Sequence, residues 1–195
     1  YDPSRNRWTP VSTVNAPEPR SRHSAVWTGS LMVVALGDND EGGGRRYDPS
    51  TDTWTPIGSA QPPVGRSHHV AVWTGAEMIV WGGRSSSFDQ NTGGVFDPVL
   101  ESWRPTTTTG APTPRWSPTT VWTGSEMIVW GGVQGSHDVY LGDGGRYNPV
   151  TDSWIPLPLG SAPSPRVRHT AVWTGQEMIV WGGFDGTARL LTGSR

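Results

Sequence analysis

One fifteen-residue segment recurs four times along the chain, and this repetition constrains the fold more than any other feature of the sequence. The clearest copy, HTAVWTGQEMIVWGG, runs from His169 to Gly183, and looser copies begin at His23, His69 and Pro118. The first Trp of each copy marks the period: Trp27, Trp73, Trp122 and Trp173. The spacings between these Trp residues are 46, 49 and 51, which predicts an array of similar structural units.

Two further markers alternate with these copies in a constant order. The first is an aromatic residue before Asp-Pro or Asn-Pro, at Tyr1, Tyr47, Phe96 and Tyr147. The second is Trp-x-Pro, at Trp8, Trp54, Trp103 and Trp154. Counted from Trp173 to the last residue and on from the first residue to Trp27, the distance is again one period. We therefore expect three whole units at 23–68, 69–117 and 118–168, and one unit divided between 1–22 and 169–195.

Within each unit the local patterns are those of β-strands. His-x-Ala-Val-Trp alternates and is rich in large or branched residues, and Met-Ile-Val-Trp is an apolar run too short for a helix and bounded by Gly-Gly. Thr-Gly-x-Glu between them predicts a tight turn. Gly-Arg-Tyr-Asp-Pro predicts a third strand, and Asp-x-Trp-x-Pro a fourth at an outer edge, which Pro tolerates. Four strands in every period predict the blades of a β-propeller.

The composition narrows the classes of function. The chain contains 26 Gly, 18 Pro and 12 Trp, and this Trp content argues against a disordered chain. It contains no Cys, which excludes disulfides, thiolate metal sites and cysteine nucleophiles. The formal net charge of -2, without a run of one sign, gives no support for nucleic-acid or membrane-surface binding. No apolar stretch is long enough to span a bilayer.

The diglycine, the Tyr-Asp-Pro segment and the Trp residues at these spacings resemble Kelch repeats over essentially the whole chain. The resemblance implies an all-β propeller of four four-stranded blades, with strands A to D running from the central channel outward. Strand A is then His-x-Ala-Val-Trp, strand B Met-Ile-Val-Trp-Gly-Gly, strand C the Tyr-Asp-Pro segment and strand D the Trp-x-Pro segment. One blade is split, because the chain begins with strands C and D and ends with strands A and B.

The number of blades in the ring remains open, because Kelch propellers usually close with six or seven. The chain is a section of a longer propeller, closes alone as four blades, or joins a second chain to give eight. We favour the last arrangement, in which each C-terminal A–B hairpin completes the partner's N-terminal C–D hairpin. Open ends expose strand edges and apolar faces, which promotes association.

Residues that recur in every unit are expected to serve folding. The strand-A Trp residues are expected in packing positions, together with Met32, Met78, Met127 and Met178. An Arg also recurs seven residues before each of these Trp residues, in the D–A loop: Arg20, Arg66, Arg115 and Arg166. These four are either a cationic ring that binds carboxylates or phosphates, or internal partners of acids and carbonyls. Three recurrent His residues also allow two interpretations, a metal site or hydrogen bonds to the backbone: His23, His69 and His169.

Residues that differ between units are the candidates for a ligand site on the D–A and B–C loops. They are His68, Phe88, Asp89, Trp116, His137, Asp138, Tyr140, Phe184 and Asp185. This mixture suits a polar ligand such as a sugar, a peptide or a protein surface, and the alternative is ordinary solvated turns. In the first B–C loop, Asp38, Asp40 and Glu41 hint at a calcium site.

The function predicted from these features is a binding or interaction module for a glycan, a peptide or a protein, without a cofactor other than calcium. The resemblance favours a bacterial, exported protein. A carbohydrate-active enzyme working at the channel mouth is the alternative, and a purely structural or engineered array without a ligand is another. The copper chemistry of galactose oxidase, a Kelch-type relative, needs a Cys and is excluded. The usual serine-hydrolase, phosphate-loop and zinc-protease motifs do not occur.

Overall fold

The structure, a computed structural model, describes residues 1–38, 43–58, 60–86, 88–135 and 139–195. Every regular element in these ranges is a β-strand, so the predicted all-β class is confirmed. Within the same ranges there is no helix that could cross a membrane.

Four antiparallel sheets follow one another along the chain and form the blades. Blade 1 contains β1 (Ser24–Trp27), β2 (Met32–Ala35), β3 (Gly44–Asp48) and β4 (Thr53–Pro56). Blade 2 contains β5 (Val70–Trp73), β6 (Met78–Trp81), β9 (Gly93–Asp97) and β10 (Ser102–Pro105). Blade 3 contains β11 (Thr119–Trp122), β12 (Met127–Trp130), β15 (Gly144–Asn148) and β16 (Ser153–Pro156). In each blade the strands pair in chain order, which matches the predicted strands A to D.

The fourth sheet has three strands, β17 (Thr170–Trp173), β18 (Met178–Trp181) and β19 (Gly193–Ser194). Its register repeats that of blade 3, because Val180 faces Ser194 as Val129 faces Gly145. The segment 1–22 was predicted to contain strands C and D of a split blade, and its first eight residues form a separate turn closed by a bridge between Asp2 and Arg7.

The B–C loops of blades 2 and 3 contain short hairpins that the sequence did not predict. These are β7 (Arg84–Ser85) with β8 (Phe88–Asp89), and β13 (Val133–Gln134) with β14 (Val139–Tyr140). Each hairpin bridges to the preceding D–A loop of its own blade, Ser67 to Arg84 and Trp116 to Val133. The two kinds of loop therefore lie together at one end of the molecule, which we call the loop face.

The A strands are the inner strands, since β1, β5, β11 and β17 pack against one another in that order. Among the described strands, β1 and β17 do not pack on each other as these consecutive strands do. Trp27 on β1 and Val172 on β17 are 53% and 57% exposed. The four blades therefore form an open arc, and the expectation that every strand-A Trp is packed is wrong for Trp27.

The core lies between blades. One cluster joins blade 1 to blade 2 and includes Val33, Ala35, Met78 and Phe96, with Trp73 packed against it. A second cluster joins blade 2 to blade 3 and contains Ile79, Trp81, Val95, Met127, Val129, Tyr147 and Trp154, with Trp122 packed against it. Burying these large apolar side chains is the main stabilisation of such a stack.

Candidate functional site

The recurrent arginines are internal. The side chains of Arg66, Arg115 and Arg166 are buried, with 3%, 0% and 1% of the residue exposed. Each donates through Nη1 to the carbonyl of the residue sixteen positions later, at 3.2 Å for Arg66 to Gly82, and Arg20 does the same to Leu36 at 3.0 Å. The sequence left two interpretations open, a cationic ring that binds anions and internal partners of acids and carbonyls. These contacts agree with the second interpretation, because the guanidiniums bind backbone carbonyls.

Each buried guanidinium ties the D–A loop to the B–C loop of its own blade. Arg66 donates to the carbonyl of Thr92 at 2.7 Å, and Arg115 to the carbonyl of Asp143 at 3.0 Å and to its carboxylate at 3.1 Å. Burial lowers the pKa of Arg66 to about 10, so the group remains charged at neutral pH. A buried charge of this kind persists because several carbonyl oxygens replace its hydration.

The backbone of the same arginines links neighbouring blades. The carbonyl of Arg115 accepts from the N–H of Gly83 at 2.8 Å, and the carbonyl of Arg166 accepts from Gly132 at 3.0 Å. Gly83 has a φ of +91°, and a Cβ there would lie 2.6 Å from the carbonyl oxygen of Ser67. The second Gly of the diglycine thus permits a close approach between the B–C loop and the D–A loop of the same blade, while its N–H bonds to the next blade.

The three histidines do not form a metal site. His169 shares a hydrogen bond of 2.7 Å with the hydroxyl of Thr119 in the preceding blade, and its ring lies 5.0 Å from that of Trp130. His69 is equally buried, whereas His23 is exposed. Burial, with the neighbouring Arg as a second cause, lowers the pKa of both buried histidines to about 4. Among the described residues there is no group of three or more potential metal ligands.

A second recurrent position lies two residues after each recurrent arginine of the D–A loops. It is the residue immediately before His23 and before the corresponding residue of each other blade. Its occupants are Arg22, His68, Ser117 and Arg168. All four have a left-handed backbone, with φ between +50° and +57°. Non-glycine residues rarely adopt this conformation, and they do so more often at functional sites than elsewhere. The position stands immediately before the inner strands, where the four loops converge.

The side chains at this position influence one another across the arc. Burial lowers the pKa of His68, and the positive charges of Arg22, Arg84 and Arg168 lower it further against the opposing effect of Asp38. Arg168 belongs to blade 4 and His68 to blade 2, so the charge of a residue from one blade acts on a residue of another at the loop face. This cationic centre of the loop face consists of Arg22, His68, Arg84 and Arg168.

Two residues predicted from the sequence, His68 and Trp116, lie together here. Their rings are 5.3 Å apart with an edge-on orientation, and the guanidinium carbon of Arg84 lies 6.0 Å from the centre of the Trp116 ring. The indole N–H of Trp116 is buried without a hydrogen-bond partner among the described residues. Asp89 faces Arg84 at 3.4 Å and accepts from the N–H of Gly135 in blade 3.

Asp38 is an acceptor for protein groups. Its carboxylate accepts from the hydroxyl of Ser21 at 2.6 Å and from Arg22 at 3.2 Å. The bond from Ser21, then that from Ser67, lowers the pKa of Asp38, and the charge of Arg22 adds to this. The other two residues of the suggested calcium site, Asp40 and Glu41, lie outside the described residues, as do His137 and Asp138.

The remaining predicted residues lie in blades 2 to 4. Tyr140 and Phe184 are in edge-on contact with ring centres 5.9 Å apart. Asp185 accepts from the backbone of Thr187 and Ala188, and these bonds lower the pKa of Asp185 to about 2, so its carboxylate stabilises a turn. Phe88 is 74% exposed.

Beside the cationic centre, blade 4 contains a cavity of about 570 Å³. Its lining consists of Arg168, Gly183, Phe184, Thr187, Ala188, Arg189 and Leu190. Arg168 forms no ion pair with any residue that the structure describes. Two guanidiniums and one aromatic ring thus border one solvent-accessible space.

The family model of the KLHDC2/KLHL20/DRC7 Kelch-repeats domain matches residues 1–183. The chain belongs to the Kelch-repeat family. Kelch repeats are generally protein-interaction modules. No curated protein matches this Kelch chain.

Arg22, Arg84, Arg168 and Arg189 were not among the residues selected from the sequence. The sequence contained a signal for Arg22 and Arg168 as site residues. Their position in the repeat varies between Arg, His and Ser, whereas the position two residues earlier is always Arg. Variation at one register position of a repeat marks a surface that the fold does not require.

Proposed function

We propose that this Kelch chain is an interaction module whose loop face binds an acidic segment of a protein partner. The cavity bordered by Arg168 and Arg189 carries the proposal. A carboxylate in this cavity would receive paired N–H donors, which is the geometry that arginine offers best.

The surroundings of the cavity favour a peptide over a bare anion. Phe184 and Leu190 give its lining an apolar part, and Tyr140 extends the aromatic surface through its contact with Phe184. A few charged groups among apolar side chains are typical of sites that recognise an extended, mixed-polarity ligand. Arg22 and His68 lie further along the same face, where additional acidic residues of one segment would bind.

The experiment is a selection of random dodecapeptides displayed on phage, with immobilised wild-type protein and with the double variant Arg168→Gln/Arg189→Gln. We expect peptides rich in Asp and Glu from the wild type. Their affinity for the double variant should fall at least about tenfold, since each charge-assisted hydrogen bond that is lost weakens binding substantially. The affinity should also fall as the salt concentration rises.

The matched control is Arg5→Gln/Arg146→Gln, which removes the same charge from exposed side chains. Arg5 lies in the N-terminal turn and Arg146 on strand C of blade 3, away from the D–A and B–C loops. This control should bind the selected peptides like the wild type. Equal loss of affinity in both double variants would contradict the proposal, because a general charge effect would then explain it.

A glycan is the rival ligand, and Trp116 is the residue that would stack on it. Screening the protein against immobilised glycans, with a turnover assay on any that bind, distinguishes the two classes. Binding that depends on Trp116 and is unchanged in Arg168→Gln/Arg189→Gln would replace the acidic segment by a sugar. We propose self-association of two chains as a separate part of the interaction behaviour, because Trp27 and Val172 on the inner strands β1 and β17 are 53% and 57% exposed.

A further inference from the structure

The short hairpin in the B–C loop of blade 2 contains a pair of opposite charges. Arg84 on β7 and Asp89 on β8 are direct partners in the strand register. Nε of Arg84 lies 3.4 Å from Oδ1 of Asp89. The side chain of Asp89 is 7% exposed and that of Arg84 is 28% exposed, so the carboxylate is buried whereas the guanidinium reaches solvent at the loop face.

The fold does not require charges at these two positions. The equivalent pair in blade 3 is Val133 with Tyr140, and in blade 4 a bridge joins Phe184 to Arg189. A buried ion pair usually contributes no more to stability than a well-packed apolar pair, because both charged groups lose their hydration. The pair in blade 2 therefore differs from its counterparts without a gain for folding, and in a repeat protein such a difference marks a site.

The carboxylate of Asp89 is held in place from the side of blade 3. Its Oδ2 accepts a hydrogen bond from the backbone N–H of Gly135, in the hairpin of that blade. Its Oδ1 has no hydrogen bond within the part of the chain that the structure describes, so its interaction with Arg84 is an attraction between charges. The packing of two blades, and not Arg84, thus determines where this negative charge lies.

Arg84 is fixed at three points. Its backbone N–H and carbonyl form hydrogen bonds with Ser67 at 2.8 Å and 2.9 Å, its guanidinium carbon lies 6.0 Å from the centre of the Trp116 ring, and its Nε faces Asp89. Neither Nη group donates a hydrogen bond to any of the described residues. Arginine binds carboxylates in parallel through this pair of groups, so the binding end of Arg84 is oriented and not engaged by the protein.

We infer that Arg84 receives a second carboxylate of the acidic segment, and that Asp89 is a positioning residue that holds the Arg84 guanidinium for it. The inference rests on the proposed function, in which another acid of the same segment binds beside Arg168. Because Arg84 is oriented before binding, the ligand does not have to order a long flexible side chain, which otherwise lowers affinity. Asp89 lies behind the guanidinium and is buried, so it does not contact the ligand itself.

The test measures the affinity of one acidic dodecapeptide, selected on the wild type, by isothermal titration calorimetry. Asp89→Asn should weaken binding about fivefold, although it removes a negative charge from the loop face. Charge alone predicts the opposite sign, because Asp89 repels an acidic peptide. The amide oxygen of Asn is able to accept from Gly135 as the carboxylate does, so the hairpin is retained. The matched control Glu18→Gln removes the same charge from an exposed residue of the first D–A loop and should not weaken binding.

A double-mutant cycle separates positioning from a general structural role. Arg84→Gln should weaken binding of the same peptide at least about tenfold. Adding Asp89→Asn to Arg84→Gln should cause no further loss, because Asp89 acts through Arg84. Arg84→Lys keeps the charge without the paired donors and should also bind more weakly than the wild type, which tests the subsite without any change to Asp89.

Three results would overturn the inference: wild-type affinity in Arg84→Gln and Arg84→Lys, an affinity of Asp89→Asn equal to or above that of the wild type, or additive losses in the double variant. If Arg168→Gln/Arg189→Gln still loses affinity in such a case, the proposed function stands and only the role of Arg84 and Asp89 is wrong. A selection on the wild type that gives no acidic peptides would overturn both proposals.

Discussion

The indole ring of Trp81 lies 5.2 Å from that of Trp154, across the boundary between the second and third blades. Trp81 ends strand B of blade 2, and Trp154 lies on the outermost strand of blade 3. Side chains from both the outer and the inner strands of one blade therefore pack against the blade before it. The stability of this Kelch chain depends on these joints, because each blade contacts only its neighbours.

Removing a buried guanidinium should destabilise the chain strongly. We predict that Arg115→Met lowers the free energy of unfolding by about 3 kcal/mol, since it leaves the carbonyls of Gly131 and Asp143 and the carboxylate of Asp143 without their donor. Urea denaturation measures the change, with the exposed Arg5→Met as the control. A loss below about 1 kcal/mol would mean that the guanidinium is not a structural tie.

The second Gly of the diglycine should be far less replaceable than the Gly of the A–B turn. Gly83 and Gly75 both have a positive φ, but a Cβ on Gly75 would have no heavy atom within 4 Å. Both substitutions by Ala carry backbone strain, and Gly83→Ala adds a clash that costs about 2 kcal/mol more. Thermal unfolding of the two variants side by side measures the difference, and equal melting temperatures would contradict the close approach of the loops.

Blade 2 should tolerate a paired substitution but not one of its members alone. Tyr47 and Tyr147 each donate to an Asp at 2.7 Å, but the corresponding residues of blade 2 are Phe96 and Glu101. Phe96→Tyr alone should destabilise by about 1 kcal/mol, because it buries a hydroxyl without its acceptor.

Adding Glu101→Asp to Phe96→Tyr should recover that loss, which gives a coupling energy of about 1–2 kcal/mol in a double-mutant cycle. Chemical denaturation of the two single variants and the double variant provides the cycle. Additive effects of the two substitutions would show that the Tyr–Asp bond is not transferable between blades.

Stability should fall on acidification through the pH range of the buried histidines. Burial lowers the pKa of His169 from 6.5 to about 4, so the unfolded chain binds the proton first. The contribution of the neutral His169 ring to the free energy of unfolding is complete above pH 6.5 and is lost as the pH falls from there to about 4. His169→Gln should flatten this slope, and melting temperatures of the wild type and the variant between pH 4 and pH 8 measure the difference.

The repeat in the sequence predicted the strands and their order because each blade uses the same local pattern. Alternation, the diglycine and the Pro turns are short-range signals, and they locate β1 to β6 without knowledge of the rest of the chain. The hairpin of β7 and β8 escaped prediction, since its two-residue strands depend on contacts with a neighbouring loop and not on periodicity.

The candidate site was only partly predictable. His68 and Trp116 were selected because they differ from their counterparts, and their rings are in contact. The role of Arg66 could not be decided from the sequence. An Arg in a loop gives the same sequence pattern whether its guanidinium faces solvent or binds a carbonyl, here that of Thr92. Burial decides between these roles, and it is a property of the packed blades.

Peptide binding by the loop face tests the central claim that the cavity bordered by Arg168 and Arg189 receives an acidic segment. Isothermal titration calorimetry with one selected acidic peptide compares the wild type with Arg168→Gln/Arg189→Gln and with the control Arg5→Gln/Arg146→Gln. We predict an affinity at least about tenfold weaker for Arg168→Gln/Arg189→Gln and an unchanged affinity for the control. Equal affinities of all three proteins would contradict the claim.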